Sequence, residues 1–192
     1  FATNELAVQR IRQLGENPDY IFNAGSPGID YIKNSTLLSR DELRADLGIR
    51  FRDKNILVTF HPATLEKASA AAQFGQILDA LAVFEPEWGI FITKANADPE
   101  GRIINEMADE FSAARTNSYT FTSLGQLRYL SLLKEVDMVV GNSSSGLYEA
   151  PTFKKPTVNI GARQQGRLAA SSVIHCEPAT EDIVRAIREA AR

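Results

Sequence analysis

Short runs rich in β-branched and aromatic residues alternate along this chain with longer stretches in which apolar positions recur every three or four residues. The short runs lie at 20–25 (YIFNAG), 55–60 (NILVTF), 89–95 (GIFITKA), 118–123 (SYTFTS), 137–142 (DMVVGN), 156–161 (PTVNIG) and 172–177 (SVIHCE). Each ends near turn-forming or polar residues, and each predicts a strand. The helical periodicity predicts helices over 64–86, 98–115, 124–136 and 180–192. The first has Thr64 at its expected N-cap and Pro86 at its end; the second opens on Asp98, expected to cap it, with Pro99 at the first helical position. Strands alternating with long helices imply βαβ crossovers, hence an α/β fold with a doubly wound parallel sheet covered on both faces.

Length and composition narrow the classes. The 192 residues suit one well-buried domain better than two very small ones, and no repeat, low-complexity tract or long linker interrupts them. With 44% apolar and 23% charged residues, the chain is an ordinary globular one rather than disordered, collagenous or membrane-embedded. A net charge of −3 provides no basic footprint for nucleic acid. One cysteine, Cys176, excludes an intrachain disulfide and a cysteine metal cluster; it reads as a core residue and fits a reducing cytoplasm. No apolar run reaches the roughly 20 residues of a bilayer crossing, and the N-terminus lacks a signal-peptide core, so a soluble protein away from membranes is expected. The chain opens on Phe1, which suggests a processed or truncated polypeptide.

In a doubly wound sheet ligands sit outside the carboxyl ends of the strands, so the residues just after each strand carry the candidate chemistry. The strand at 137–142 runs into Gly141, Asn142, Ser143, Ser144, Ser145 and Gly146 before a short helix. Glycines permit a tight turn and close backbone approach, while amides at a helix start, aided by serine hydroxyls, make an anion site that fits a phosphate or diphosphate. It is neither a Walker A loop, since no Gly-Lys-Ser/Thr follows, nor a GxGxxG fingerprint. By spacing alone, a serine-capped helix start without a ligand fits as well. Glu149 either accepts hydrogen bonds from the vicinal hydroxyls of a ribose or faces solvent. Arg163, beyond the strand at 156–161, suits a phosphate clamp; a plain surface arginine is the alternative, and Arg167 is its rival.

His61 and Pro62 follow the strand at 55–60, so the imidazole points toward the presumed cleft and the proline stiffens the turn. His175, inside an apolar run, reads as packed or edge-exposed. Asn96 leaves a strand and either reads a base, ribose or phosphate or simply forms a turn. No CxxC, HExxH or carboxylate cluster has metal-ligand spacing, so no protein-bound metal is predicted, and nothing calls for a cofactor.

Taken together, FHPAT, ANADPEG and GNSSSGLYEAPTFKKPTVNIGARQQGR resemble the UDP-N-acetylglucosamine 2-epimerase family, in its hydrolysing, sialic acid branch. The opening residues 1–30 are similar to the segment joining that family's two domains, so the likeness spans essentially the whole chain. The resemblance implies the C-terminal, UDP-binding, Rossmann-like domain of a glycosyltransferase-B type two-domain enzyme, covering 1–192, with the joining segment inside 1–35. It also implies that Ser143, Ser144 and Glu149 bind the diphosphate and ribose of UDP, that Arg163 assists, that Asn96 lines the same pocket and that Leu124 meets uracil through its backbone. His61 matches the family's functionally important histidine. Its implied role is to stabilise charge on the departing diphosphate during anti-elimination of UDP to a 2-acetamidoglucal; water then adds, giving N-acetylmannosamine.

The acidic residues that move protons at the sugar belong, in the family, to the first domain. On this reading Phe1 marks a truncation, and a nucleotide-binding half inactive by itself is expected, with UDP or UDP-N-acetylglucosamine and the N-terminal domain as partners and homo-oligomerisation left open. Two rivals remain: a UDP-sugar glycosyltransferase domain, and a non-catalytic UDP-sugar sensor.

Overall fold

Ile56, Leu57 and Val58, like Ile90, Phe91 and Ile92, are buried at every position, so their strands present no face to water and must lie inside a sheet covered on both sides. The computed structural model describes residues 1–62, 69–84, 86–96 and 99–192. Its strands are β1 (Lys54–Thr59), β2 (Trp88–Thr93), β3 (Ser118–Phe121), β4 (Met138–Gly141), β5 (Thr157–Ile160) and β6 (Val173–Cys176). They form one six-stranded sheet in the order β3-β2-β1-β4-β5-β6, every pair parallel. The helices are α1 (Glu5–Gln13), α2 (Pro27–Asn34), α3 (Arg40–Leu47), α4 (Ala70–Ala82), α5 (Pro99–Ala113), α6 (Gly125–Glu135), α7 (Ser145–Thr152) and α8 (Thr180–Ala190).

Side chains alternate between the two faces of a strand. Ile56, Val58, Ile90, Ile92, Met138, Val140, Val158 and Ile160 point one way, into a single core with Phe74, Ile77 and Leu81 of α4, Ile104 and Ala108 of α5, and Ile183 and Ile187 of α8. Leu57, Phe91 and Val139, at the intervening positions, are buried on the other face. On that side α7 lies against β4 and β5, and α6 against α7 and α3. The winding reverses between β1 and β4, and that switch point opens a crevice at the strands' carboxyl ends.

The chain divides into two compact units, 1–36 and 37–192, and the sheet belongs wholly to the second. In the first, Asn4 caps α1 by accepting a 2.9 Å hydrogen bond from the Ala7 amide, and the Phe1 and Phe22 rings stack at 5.6 Å. The strand expected at 20–25 is reduced to one isolated bridge between Ala2 and Asn23. A 3₁₀ turn at Pro18–Tyr20 holds the first of those residues, and Gly25 turns to φ +76, so too little extended chain remains for a ladder.

The start of the helix expected at 64–86, with its Thr64 cap, lies outside the described residues, as does the Asp98 cap. In the described part Ser69 caps α4, accepting from the Ala72 amide at 3.2 Å. The helix stops at Ala82 rather than Pro86, because the amides of Val83 and Phe84 tighten onto the carbonyls of Ala80 and Leu81. Helix α3 was not anticipated, although Ser39 and Glu42 form a full capping box and Gly48 ends it left-handed at φ +66. No helix among the described residues is long and apolar enough to cross a membrane.

Candidate functional site

The turn leaving β4 is built for close approach. Gly141 sits at φ +138, and a side chain there would run into the Thr59 carbonyl of the neighbouring strand. One residue on, Asn142 is 1% exposed and ties the turn to three segments. Its Nδ2 donates to the His61 carbonyl and its Oδ1 accepts from the His61 amide, both at 2.8 Å. Its own amide donates to the Thr59 carbonyl at 3.1 Å, and its carbonyl accepts from Arg163 Nη1 at 3.0 Å and Gln164 Nε2 at 2.7 Å. The carboxyl ends of β1 and β4 are thereby fixed relative to each other across the switch point.

The serines then start α7. Ser143 Oγ accepts from the Ser145 amide at 3.3 Å, its carbonyl accepts from the Gly146 amide at 3.2 Å, and the Ser144 carbonyl accepts from the Leu147 amide at 2.9 Å. The amides from Ser145 onward are therefore turned inward, and those of Ser143 and Ser144 have no protein partner among the described residues. Gly146 lets α7 settle on β5: a Cβ there would lie 2.5 Å from Thr157 Cγ2, while the Thr157 hydroxyl donates to the Gly146 carbonyl at 2.8 Å.

A cavity of about 380 Å³ opens at this rim, lined by His61, Lys94, Leu124, Tyr129, Ser143 and Ser145 together with Thr59, Thr93, Ser123, Gly125 and Gln126. Of the residues expected from the sequence, it brings together His61, Leu124 and Ser143. Leu124 is buried at the N-cap of α6. Ser144 and Glu149 are half-buried on the α7 side without lining the cavity. Arg163 is exposed, with its guanidinium on the Asn142 carbonyl, and Asn96 is exposed beyond β2; neither lines the cavity. The Lys94 ammonium pairs with Asp109 at 2.6 Å. Burial pushes the Asp109 carboxyl up, but hydrogen bonds from Lys94 and Thr120 outweigh it and hold the group below its ordinary value.

Tyr129 was not read from the sequence, although it sets a polar tip one turn before Leu133 in α6. Its phenol donates to Ser145 Oγ at 2.7 Å. Burial pushes this phenol above its ordinary value; the nearby Ser145 and Thr59 hydroxyls offset part of that, and the Glu149 carboxylate adds to it. His175 is exposed on the edge strand β6, where its Nδ1 meets Asn159 Nδ2 at 3.1 Å. Cys176 is only partly buried.

A doubly wound parallel sheet of this strand order, with its cavity at the switch point, is a Rossmann-like half of the glycosyltransferase-B type. The chain belongs to the UDP-N-acetylglucosamine 2-epimerase family, which matches residues 1–192. It is 37% identical over 178 residues to the GDP/UDP-N,N'-diacetylbacillosamine 2-epimerase (hydrolyzing) of Campylobacter jejuni, covering 92% of this chain and 46% of that protein. It is 34% identical over 194 residues to the UDP-N-acetylglucosamine 2-epimerase of Neisseria meningitidis, covering 99% and 49%. In fold it is similar to the Methanocaldococcus jannaschii UDP-GlcNAc 2-epimerase solved in complex with UDP-GlcNAc and UDP, with a TM-score of 0.70 and 15% identity over 100% of this chain and 54% of that one. The chain spans about half the length of the curated relatives it matches.

Proposed function

We propose that this chain is the UDP-binding half of a hydrolysing UDP-N-acetylglucosamine 2-epimerase. The observation that carries the reading is the meeting of Ser143, His61 and the start of α7 around one cavity at the switch point. The amides of Ser143 and Ser144, which have no protein partner among the described residues, and the hydroxyls of these two serines take the diphosphate, Glu149 holds the ribose, and Leu124 presents its backbone to the uracil. Arg163 and Asn96, exposed at the same rim, close on the nucleotide from outside. His61 stabilises the charge that develops on the departing diphosphate as the sugar C1–O bond breaks and the C2 proton is removed. Water then adds across the resulting double bond, giving N-acetylmannosamine and UDP.

The groups that move the sugar's protons belong, on this reading, to another domain of the parent enzyme, joined through residues within 1–35. The 192-residue chain by itself then binds UDP without turnover, in the cytoplasm. Calorimetry on the chain tests the site: UDP binds, and replacing both Ser143 and Glu149 by Ala weakens it by about 2–4 kcal/mol. Unchanged affinity in that double variant removes the assignment. Product analysis on the parent decides the chemistry, since free N-acetylmannosamine with UDP supports the epimerase and a glycosylated acceptor refutes it. Running UDP-N,N'-diacetylbacillosamine beside UDP-N-acetylglucosamine identifies the sugar, a choice raised by the Campylobacter jejuni relative.

A further inference from the structure

Ser145 belongs to the serine turn but is not among the residues that the resemblance singles out for UDP, and Tyr129 had no role at all, yet the two hydroxyls meet at 2.7 Å inside the cavity. A hydroxyl has one proton and two lone pairs. Because the Tyr129 proton lies between the two oxygens, the Ser145 proton must point elsewhere. Ser145 is 8% exposed, and its amide is already spent on Ser143 Oγ. The side of Ser145 left open is the cavity, beside Ser143 and His61. Thr59, whose Oγ1 lies 2.6 Å from Thr93 Oγ1, lines the same cavity from β1.

We propose that Ser145 is a further donor to the diphosphate and that Tyr129 is its positioning residue, fixing the direction in which the Ser145 proton points. The proposal rests on the reading of this cavity as a nucleoside diphosphate site. Tyr129 touches no ligand; it works only through Ser145.

The test is UDP calorimetry on the 192-residue chain with Tyr129→Phe, Ser145→Ala and the double variant, together with phosphorus NMR of UDP at saturation. Each single change lowers affinity about tenfold, as loss of one hydrogen bond to a charged group should. The double variant binds no worse than Ser145→Ala, because both changes delete one interaction. At saturation the phosphorus resonances move in the same direction in both single variants, which a merely loosened fold would not produce. Wild-type affinity in Ser145→Ala, additive losses in the double variant, or unshifted resonances overturn the proposal while leaving UDP binding standing. Absence of UDP binding by the wild-type chain brings down this inference and the functional reading together. If Tyr129→Phe does not fold, the affinity and resonances of Ser145→Ala decide the ligand contact.

Discussion

The Asn142 side chain and the His61 backbone hold each other through two hydrogen bonds of 2.8 Å, 81 residues apart in sequence and across the gap where the sheet reverses its winding. Asn142→Ala removes both hydrogen bonds to the His61 backbone. The expected loss is about 2–4 kcal/mol in chemical denaturation, from two hydrogen bonds lost at partly buried groups. Asn142→Asp tests the geometry more sharply: it keeps the acceptor for the His61 amide but sets an oxygen against the His61 carbonyl, so it should destabilise about as much as Ala despite its similar shape.

Gly146→Ala would gain helix propensity in α7, about 1 kcal/mol on an open helix. The contact with Thr157 Cγ2 at 2.5 Å reverses the sign, and a net loss of about 1–3 kcal/mol is expected in thermal or denaturant unfolding. Thr157→Ser removes that methyl while keeping the hydroxyl that bonds the Gly146 carbonyl. Stability in the double variant should therefore recover above Gly146→Ala alone.

Gly141→Ala has no such remedy, because its obstacle is the Thr59 backbone and its φ of +138 is foreign to side-chain-bearing residues. Expression of this variant should yield no cooperatively folded chain by circular dichroism and thermal unfolding.

Burial pushes the Cys176 thiol up to about 11, the Glu177 carboxylate adds to this and Arg185 partly offsets it. Alkylation of the native chain should be slow at about pH 8 and quicken only toward strongly alkaline solution. Between the ordinary value of 9.0 and about 11 the folded chain holds this proton more tightly than the unfolded one. The associated stability is complete below that window and is lost as pH rises through it. Cys176→Ala should flatten the slope of stability against pH there.

Six of the seven expected strands and all four long helices were legible because each is a local pattern: apolar periodicity, a turn residue, a helix stop. The exception, 20–25, has strand composition but no neighbour able to pair with more than one of its residues. Helix α3 carried a readable signal in Ser39, Glu42 and Gly48 that its strongly polar surroundings obscured. At the site, the serine turn and His61 stood out because residue type and position after a strand suffice to flag them. The roles of Asn142, Tyr129 and Gln164 did not, since each depends on partners far away in the chain, such as Ser145 for Tyr129 and the Asn142 carbonyl for Gln164. Asn105 is a further case: it grips the amide and carbonyl of Ala95 from within α5, and nothing in its sequence neighbourhood announces that.

Because all six strands run the same way, the sheet has two unlike rims. Every described loop residue that lines the cavity follows the carboxyl end of a strand, on one of these rims. Insertions or grafted peptides on the opposite rim should be tolerated without disturbing recognition, whereas a new specificity has to be written into the residues that follow β1, β2, β3 and β4.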